Sequence, residues 1–355
     1  MKKRKFTFYL GIPVIIIIAV FLFSGGAYIY WNTSSPAKTC YSCHEIQHSF
    51  ATWSASAHRE LNCFFCHGTA LSEGFHSLKE KSRMVASHFT KKPFSEDITL
   101  NERQMNEMSF RCKSCHEQEY AMWLSGGHSL TYADVFLNEN QNSAEQPNED
   151  CFRCHGMFYS GNITSLIEPV SVSGPWKLVP KDHYGLPVIP CLSCHSVHTE
   201  GYPKNPPEYQ NPEKIFYEKS DTYATAGIFN RQEHLFFNAE DLPQPGIFYK
   251  DRTLKTSGDP LVRICKQCHA PNVRHQAGTS DDRTPAGVHE GISCLACHEK
   301  HSNNSKRSCI NCHPAISNCG LDVTAMNTSY ADPESPNNIH FVSCKDCHAG
   351  IMRYE

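Results

Sequence analysis

Concentrated charge is missing from this chain. Its 33 Lys and Arg nearly balance 36 Asp and Glu, leaving a formal net charge of −3. The one dense basic run is Lys2-Lys3-Arg4-Lys5. Nucleic-acid binding needs a basic patch or stripe, so that class of partner is excluded. Apolar residues are also sparse, at 40% against about 45–50% in ordinary globular domains. A chain of 355 residues would normally build two or three domains, and here the side chains offer only thin cores for them. One stretch has no charge at all: none occurs from Phe6 to Trp31. That stretch holds no cysteine for lipidation and no clear Ala-x-Ala cleavage site.

What the chain has in excess is cysteine, and nearly all of it in one pattern. Cys-x-x-Cys-His occurs nine times, at Cys40–His44, Cys63–His67, Cys112–His116, Cys151–His155, Cys191–His195, Cys265–His269, Cys294–His298, Cys309–His313 and Cys344–His348. Each reads as an attachment site for haem c. The thiols Cys40, Cys43, Cys63, Cys66, Cys112, Cys115, Cys151, Cys154, Cys191, Cys194, Cys265, Cys268, Cys294, Cys297, Cys309, Cys312, Cys344 and Cys347 would form thioethers. The histidines His44, His67, His116, His155, His195, His269, His298, His313 and His348 would be proximal iron ligands. Paired cysteines also hold zinc or form disulfides, but neither needs a histidine after every pair. Cys319 alone is left over, as a buried thiol, a redox thiol or an iron ligand. Nine haems in 355 residues allow roughly 39 residues each. The porphyrins would then supply much of the core, giving a mostly α fold of short helices wrapped on haems, long coil and minimal sheet.

The uncharged N-terminal stretch is long enough to span a bilayer as a helix. The basic cluster at residues 1–5 fits the cytoplasmic side, and Tyr28, Tyr30 and Trp31 fit the far interface. A retained anchor over 6–31 is expected, with a cleaved signal peptide as the alternative; both place the haem region outside the cytoplasm. Motif spacing then divides the chain into a dihaem region at 32–110, a trihaem region at 111–200, a Pro- and aromatic-rich haem-free spacer at 201–262, and a tetrahaem region at 263–355. An internal repeat runs through the first two regions. Cys40–His44-Glu45 is followed by Trp53-x4-His58, and Cys112–His116-Glu117 by Trp123-x4-His128.

Twelve histidines lie outside the motifs, enough to close the second axial position of nine irons. His58 and His289 stand five residues before a motif cysteine, and His340 stands four before. His198 and His301 follow a motif histidine by three residues, about one helical turn and on the same face. Such a residue cannot swing to the far side of its own porphyrin and is better placed for a neighbour's iron. These five and His128 are the better-supported distal candidates; His88, His183, His234 and His275 have less local support, and His48 and His76 least.

The anchor, the segment CYSCHEIQHSFATWSASAHRELNCFFCHG and the Lys-rich stretch ending Ala86-Ser87-His88-Phe89 together resemble the NapC/NirT/NrfH family of membrane-anchored multihaem cytochromes, over about the first quarter of the chain. The resemblance implies quinol oxidation at the membrane and reduction of a periplasmic redox partner. It implies a quinol site in the region of Lys79, Glu80 and Lys81. Many members carry methionine two residues after the first motif histidine, where this chain has Ile46. The family's usual four or five haems also fall short of nine motifs. The remainder resembles the broader multihaem cytochrome c group. Two functions follow from this reading: an electron conduit from quinol to an extracytoplasmic partner, or a reductase or oxidase of a small nitrogen or sulfur compound with one open haem. The lysine that replaces a motif histidine in ammonia-forming nitrite reductases has no counterpart here.

Overall fold

The computed structural model describes residues 2–33, 41, 46–72, 77–89, 102–199, 226–244, 246, 248–249, 252–269 and 291–302. The chain divides into two compact units, Met1–Ile98 and Thr99–Glu355. It is mostly helical with much coil and few strands.

In the first unit, helix α1 (Lys2–Thr33) is the longest element. Its segment Ile12–Thr33, 22 residues, is long and apolar enough to cross a membrane and is not buried by protein. Asn32 and Thr33 turn their side chains back to the carbonyls of Tyr28 and Ile29, at 2.9 and 2.7 Å. Helix α2 (Gln47–Ser54) follows the first motif. Helix α3 (Cys63–His67) is the second motif itself, capped by Asn62, whose side chain accepts from Phe64 N. Helix α4 (Leu78–Phe89) begins at Ser77, whose hydroxyl accepts from Glu80 N at 3.2 Å.

The second unit opens with α5 (Glu102–Lys113) and α6 (Glu117–Leu124). Helix α5 buries Met105 and Met108. The sequence boundary at 110/111 falls inside this helix, and the units divide at 98/99. Both repeats Cys-x-x-Cys-His-Glu…Trp-x4-His are followed by an eight-residue helix ending one residue past the tryptophan, α2 and α6. The tryptophans differ in role: Trp53 Nε1 donates to His58 O, whereas Trp123 Nε1 donates to Ile189 O.

Short helices α7 (Tyr132–Phe136), α8 (Glu139–Ala144) and α9 (Ile163–Leu166) each start at a side-chain cap: Thr131, Asn138 and Asn162. Such caps satisfy the first orphan N–H groups of elements too short to persist alone. Strands β1 (Ile167–Glu168) and β2 (Lys177–Leu178) pair antiparallel, Ile167 against Leu178. Tyr132, Phe136, Phe152, Tyr159, Ile163, Leu166, Ile167, Leu178 and Val188 form the buried core here. Further along, β3 (Gly227–Asn230) and β4 (Leu235–Asn238) make a hairpin, and β5 (Phe248–Tyr249) pairs with β6 (Arg252–Thr253). The hairpin turn is tied to the core by Arg231, which lies 4.6 Å over the Phe152 ring and donates to the carbonyls of Tyr159 and Gly161. Helix α10 (Pro260–Cys268) starts with Asp259 as its cap and Pro260 in its first turn, the position where proline costs least.

Gly156 follows the fourth motif with φ +75°, and a Cβ there would overlap the Tyr132 hydroxyl and come within 2.9 Å of its ring. Backbone strain and overpacking then act together. Gly156→Ala is expected to lower the stability of the haem-loaded protein by about 2 kcal/mol or more, measured by chemical denaturation. An unchanged unfolding midpoint would show that the Tyr132 packing is soft.

Candidate haem attachment sites

The described motifs share one backbone turn. The motif histidine N–H donates to the carbonyl of the first cysteine at 2.9 Å for His116, 2.9 Å for His155, 3.0 Å for His195, 2.8 Å for His269 and 2.9 Å for His298. This bond sets the first cysteine and the histidine one helical turn apart, on the same face. A shared face is what a porphyrin needs if it is to be gripped by two thiols and ligated by one imidazole. The turns are built by different means: α3 by Asn62, the seventh motif by Ser293, whose hydroxyl accepts from Leu295 N, and the sixth by α10.

The fit to haem c can be judged from the side chains. The twelve described cysteines are all free of disulfides. Among the described residues no three His, Cys, Asp or Glu converge on a point that could hold a metal ion, which is what a tetrahedral zinc site requires. Burial pushes the Cys151 and Cys191 thiols up, and Cys194 up to about 11, so these sulfurs are held protonated. His155 Nδ1 is buried without a hydrogen-bond partner. Desolvation first, then the nearby His269 and His128, bring His155 down to about 4. It is therefore neutral at pH 7, the form that binds a metal.

The motifs of the second unit are packed together. Ser109 of α5 hydrogen-bonds the Cys191 thiol. The Cys154 and Cys268 thiols hydrogen-bond each other, which lowers Cys154 and, with burial, raises Cys268. Cys154 Sγ also lies 3.9 Å from Gln267 O. Gly156 N donates to Val188 O, just before the fifth motif, and Gly227 N donates to Cys194 O. Buried Ser293 donates to Asp259 Oδ2 at 2.6 Å, joining the seventh motif to the cap of α10. Thus the third through seventh motifs, far apart in sequence, meet in one unit.

The distal candidates fall in different surroundings. His128 and His269 have ring centroids 6.2 Å apart at 58°; His195 and His301 are 6.0 Å apart at 35°. Burial lowers His128 first, followed by His269 and His301; burial lowers His301 as well, followed by Lys300. His58 is half-buried, with its N–H on Ser56 Oγ and its carbonyl on Trp53. His198 is half-buried after the fifth motif. His234 is exposed in the β3–β4 turn with φ +55°, 6.5 Å from Phe229. His48 is exposed on α2. His88 lies on α4. Cys40, Cys43, His44, His76, His275, His289, Cys309, Cys312, His313, Cys319, His340, Cys344, Cys347 and His348 lie outside the described residues.

His183 is engaged elsewhere. Its Nε2 is 2.8 Å from Glu102 Oε2 and its Nδ1 is 3.0 Å from Asp182 Oδ1. With both nitrogens on carboxylates, it has none to spare for iron in this arrangement. The other Glu102 oxygen accepts from the Tyr132 hydroxyl. Burial raises both Glu102 and Tyr132 above their ordinary values. This buried acid–phenol–imidazole network left no mark in the sequence, because its members come from α5, α7 and a loop with no shared spacing. In the first unit, Lys79 is exposed on α4 and Lys81 half-exposed, while Glu80 pairs with Arg83 at 3.1 Å.

Because Glu102 holds its proton more tightly when folded, its contribution to stability is full below its ordinary 4.5 and is lost as pH rises through the folded value. Glu102→Gln should therefore have a flatter stability–pH curve than the wild type through that window. Urea melts at a series of pH values will detect this. Parallel curves for the two proteins would mean that burial costs the carboxylate nothing.

Comparison with known proteins agrees with this chemistry. The family model described as cytochrome c554 and c-prime matches residues 111–171. The cytochrome c-type protein NrfH of Wolinella succinogenes is 27% identical over 175 residues, which is 47% of this chain and 93% of that protein. No solved structure matches the chain. The chain resembles the NapC/NirT/NrfH group of c-type cytochromes and, over residues 111–171, the cytochrome c554 family.

Proposed function

We propose that this protein is a membrane-anchored nonahaem cytochrome c that takes electrons from membrane quinol and delivers them to an extracytoplasmic redox partner. The observation that carries the reading is the convergence of the third through seventh motifs in one unit, with two motif histidines, His269 and His195, each about 6 Å from a histidine outside the motifs. Haem, where bound, supplies one-electron redox chemistry; the protein's share is ligation, spacing and burial. The similarity to NrfH and the apolar segment Ile12–Thr33 support an anchor and a quinol donor. The Lys2–Lys5 cluster supports the orientation with the haem units outside. Quinol oxidation releases protons and needs a base or hydrogen-bonding cation beside the ring, a role assigned to Lys79, Glu80 and Lys81 of α4.

The second reading, a reductase or oxidase of a small nitrogen or sulfur compound, draws support from the Glu102–Tyr132–His183 network. Glu102 and Tyr132 are buried groups whose protonated forms burial favours, His183 sits on the second Glu102 oxygen, and the Tyr132 hydroxyl lies against Gly156, directly after the fourth motif. Such chemistry consumes protons as well as electrons.

The full-length protein in liposomes, supplied with a reduced quinone analogue, is expected to show reduction of its haem absorption. Lys79→Ala combined with Lys81→Ala should slow that reduction at least tenfold while leaving dithionite reduction intact; an unaltered rate removes these lysines from the site. Cyanide, nitrite and hydroxylamine should leave the spectrum unchanged if the protein is a carrier. A ligand-induced shift in one haem would favour the second reading.

A further inference from the structure

We propose that two haem irons are closed by histidines from other motif segments: His128 completes the site of Cys265, Cys268 and His269, and His301 completes the site of Cys191, Cys194 and His195. The proposal rests on the reading of the motifs as haem sites, and is independent of where the electrons come from.

The geometry is that of two imidazoles on one metal. Two metal–nitrogen bonds of about 2 Å each, with half a five-membered ring beyond each nitrogen, put the ring centres about 6 Å apart. The observed separations are 6.2 and 6.0 Å. Other ring pairs in this chain span 4.4 to 6.5 Å, so the separation fits a bridging metal while the pairing of a motif with a non-motif imidazole gives it its meaning. Tilts of 58° and 35° are compatible with a shared axis, because each ring turns freely about its metal–nitrogen bond. Each pair joins one motif histidine to one that is not, so neither pair asks two proximal ligands to share an iron.

The sequence context explains the exchange. His301 follows its own motif histidine, His298, by three residues and cannot reach round its own porphyrin. The bond from Ser293 to Asp259 brings this segment beside α10. His128 follows α6 in the one-turn segment Gly127–Ser129. Two long-range coordination bonds would thus tie residues 111–200 to 263–302. Both haems would be six-coordinate carriers, closed to exogenous ligands.

Electron paramagnetic resonance of the haem-loaded full-length protein tests this. His128→Ala and His301→Ala should each convert one haem per chain from low to high spin, with the number of attached haems by mass unchanged, and the double variant should convert two. Added imidazole should restore the low-spin signal, which separates a lost ligand from a misfolded chain. His128→Met should restore a low-spin iron at a higher potential. On a background in which Cys265, Cys268 and His269 are all alanine, His128→Ala should produce no high-spin haem. Unchanged spin states at full haem content, or a high-spin haem appearing in that background, would overturn the pairing. Failure of quinol-dependent reduction with these spin changes intact would count against the electron source alone.

Discussion

Haem c is held by two sulfurs and one imidazole at fixed spacing, and the described motif turns, their caps and their packing fit that demand. The required spacing is one turn of helix. Hydrogen bonds of 2.8–3.0 Å from the motif histidine to the first cysteine close that turn in the third through seventh motifs. Because each turn is closed locally, the surrounding chain needs only to cap it and bury its back. Asn62, Ser293 and Asp259 do the first by accepting from N–H groups at the start of their turns. The short helices of the second unit do the second, and the polypeptide core remains a modest cluster around Tyr132, Phe152 and Leu166.

Burial is the second constraint. Removing imidazoles from water lowers His128, His155 and His301, which keeps their lone pairs free of protons. The same physics acts on Glu102 and Tyr132 in the opposite sense, favouring their protonated forms. One interior therefore favours the neutral form of its bases and of its acids alike. The two sets lie close together at Gly156, where the Tyr132 hydroxyl abuts the residue after His155.

What could be read from the sequence was local. The motifs, the apolar N-terminal segment and the repeat of Cys-x-x-Cys-His-Glu with Trp-x4-His are all written in spacings of a few residues. The prolines and aromatics at 201–262 marked off a segment, and the β3–β4 hairpin lies there. Contacts between distant segments could not be read. His128 and His301 were distal candidates, but nothing in the sequence said that they would lie beside His269 and His195. Nor did the sequence show that Glu102 and Asp182 would sit on the two nitrogens of His183. The boundary at 110/111 followed the motif spacing, whereas helix α5 follows its own apolar periodicity across that point.

The account stands on covalent haem at these cysteines. Intact-mass measurement of the mature protein purified from a membrane fraction, combined with a pyridine haemochrome assay, tests it most directly. The account predicts a mass increment and a haem-to-protein ratio corresponding to all nine motifs of the sequence. A polypeptide of bare mass, or one carrying zinc in place of haem, would contradict it.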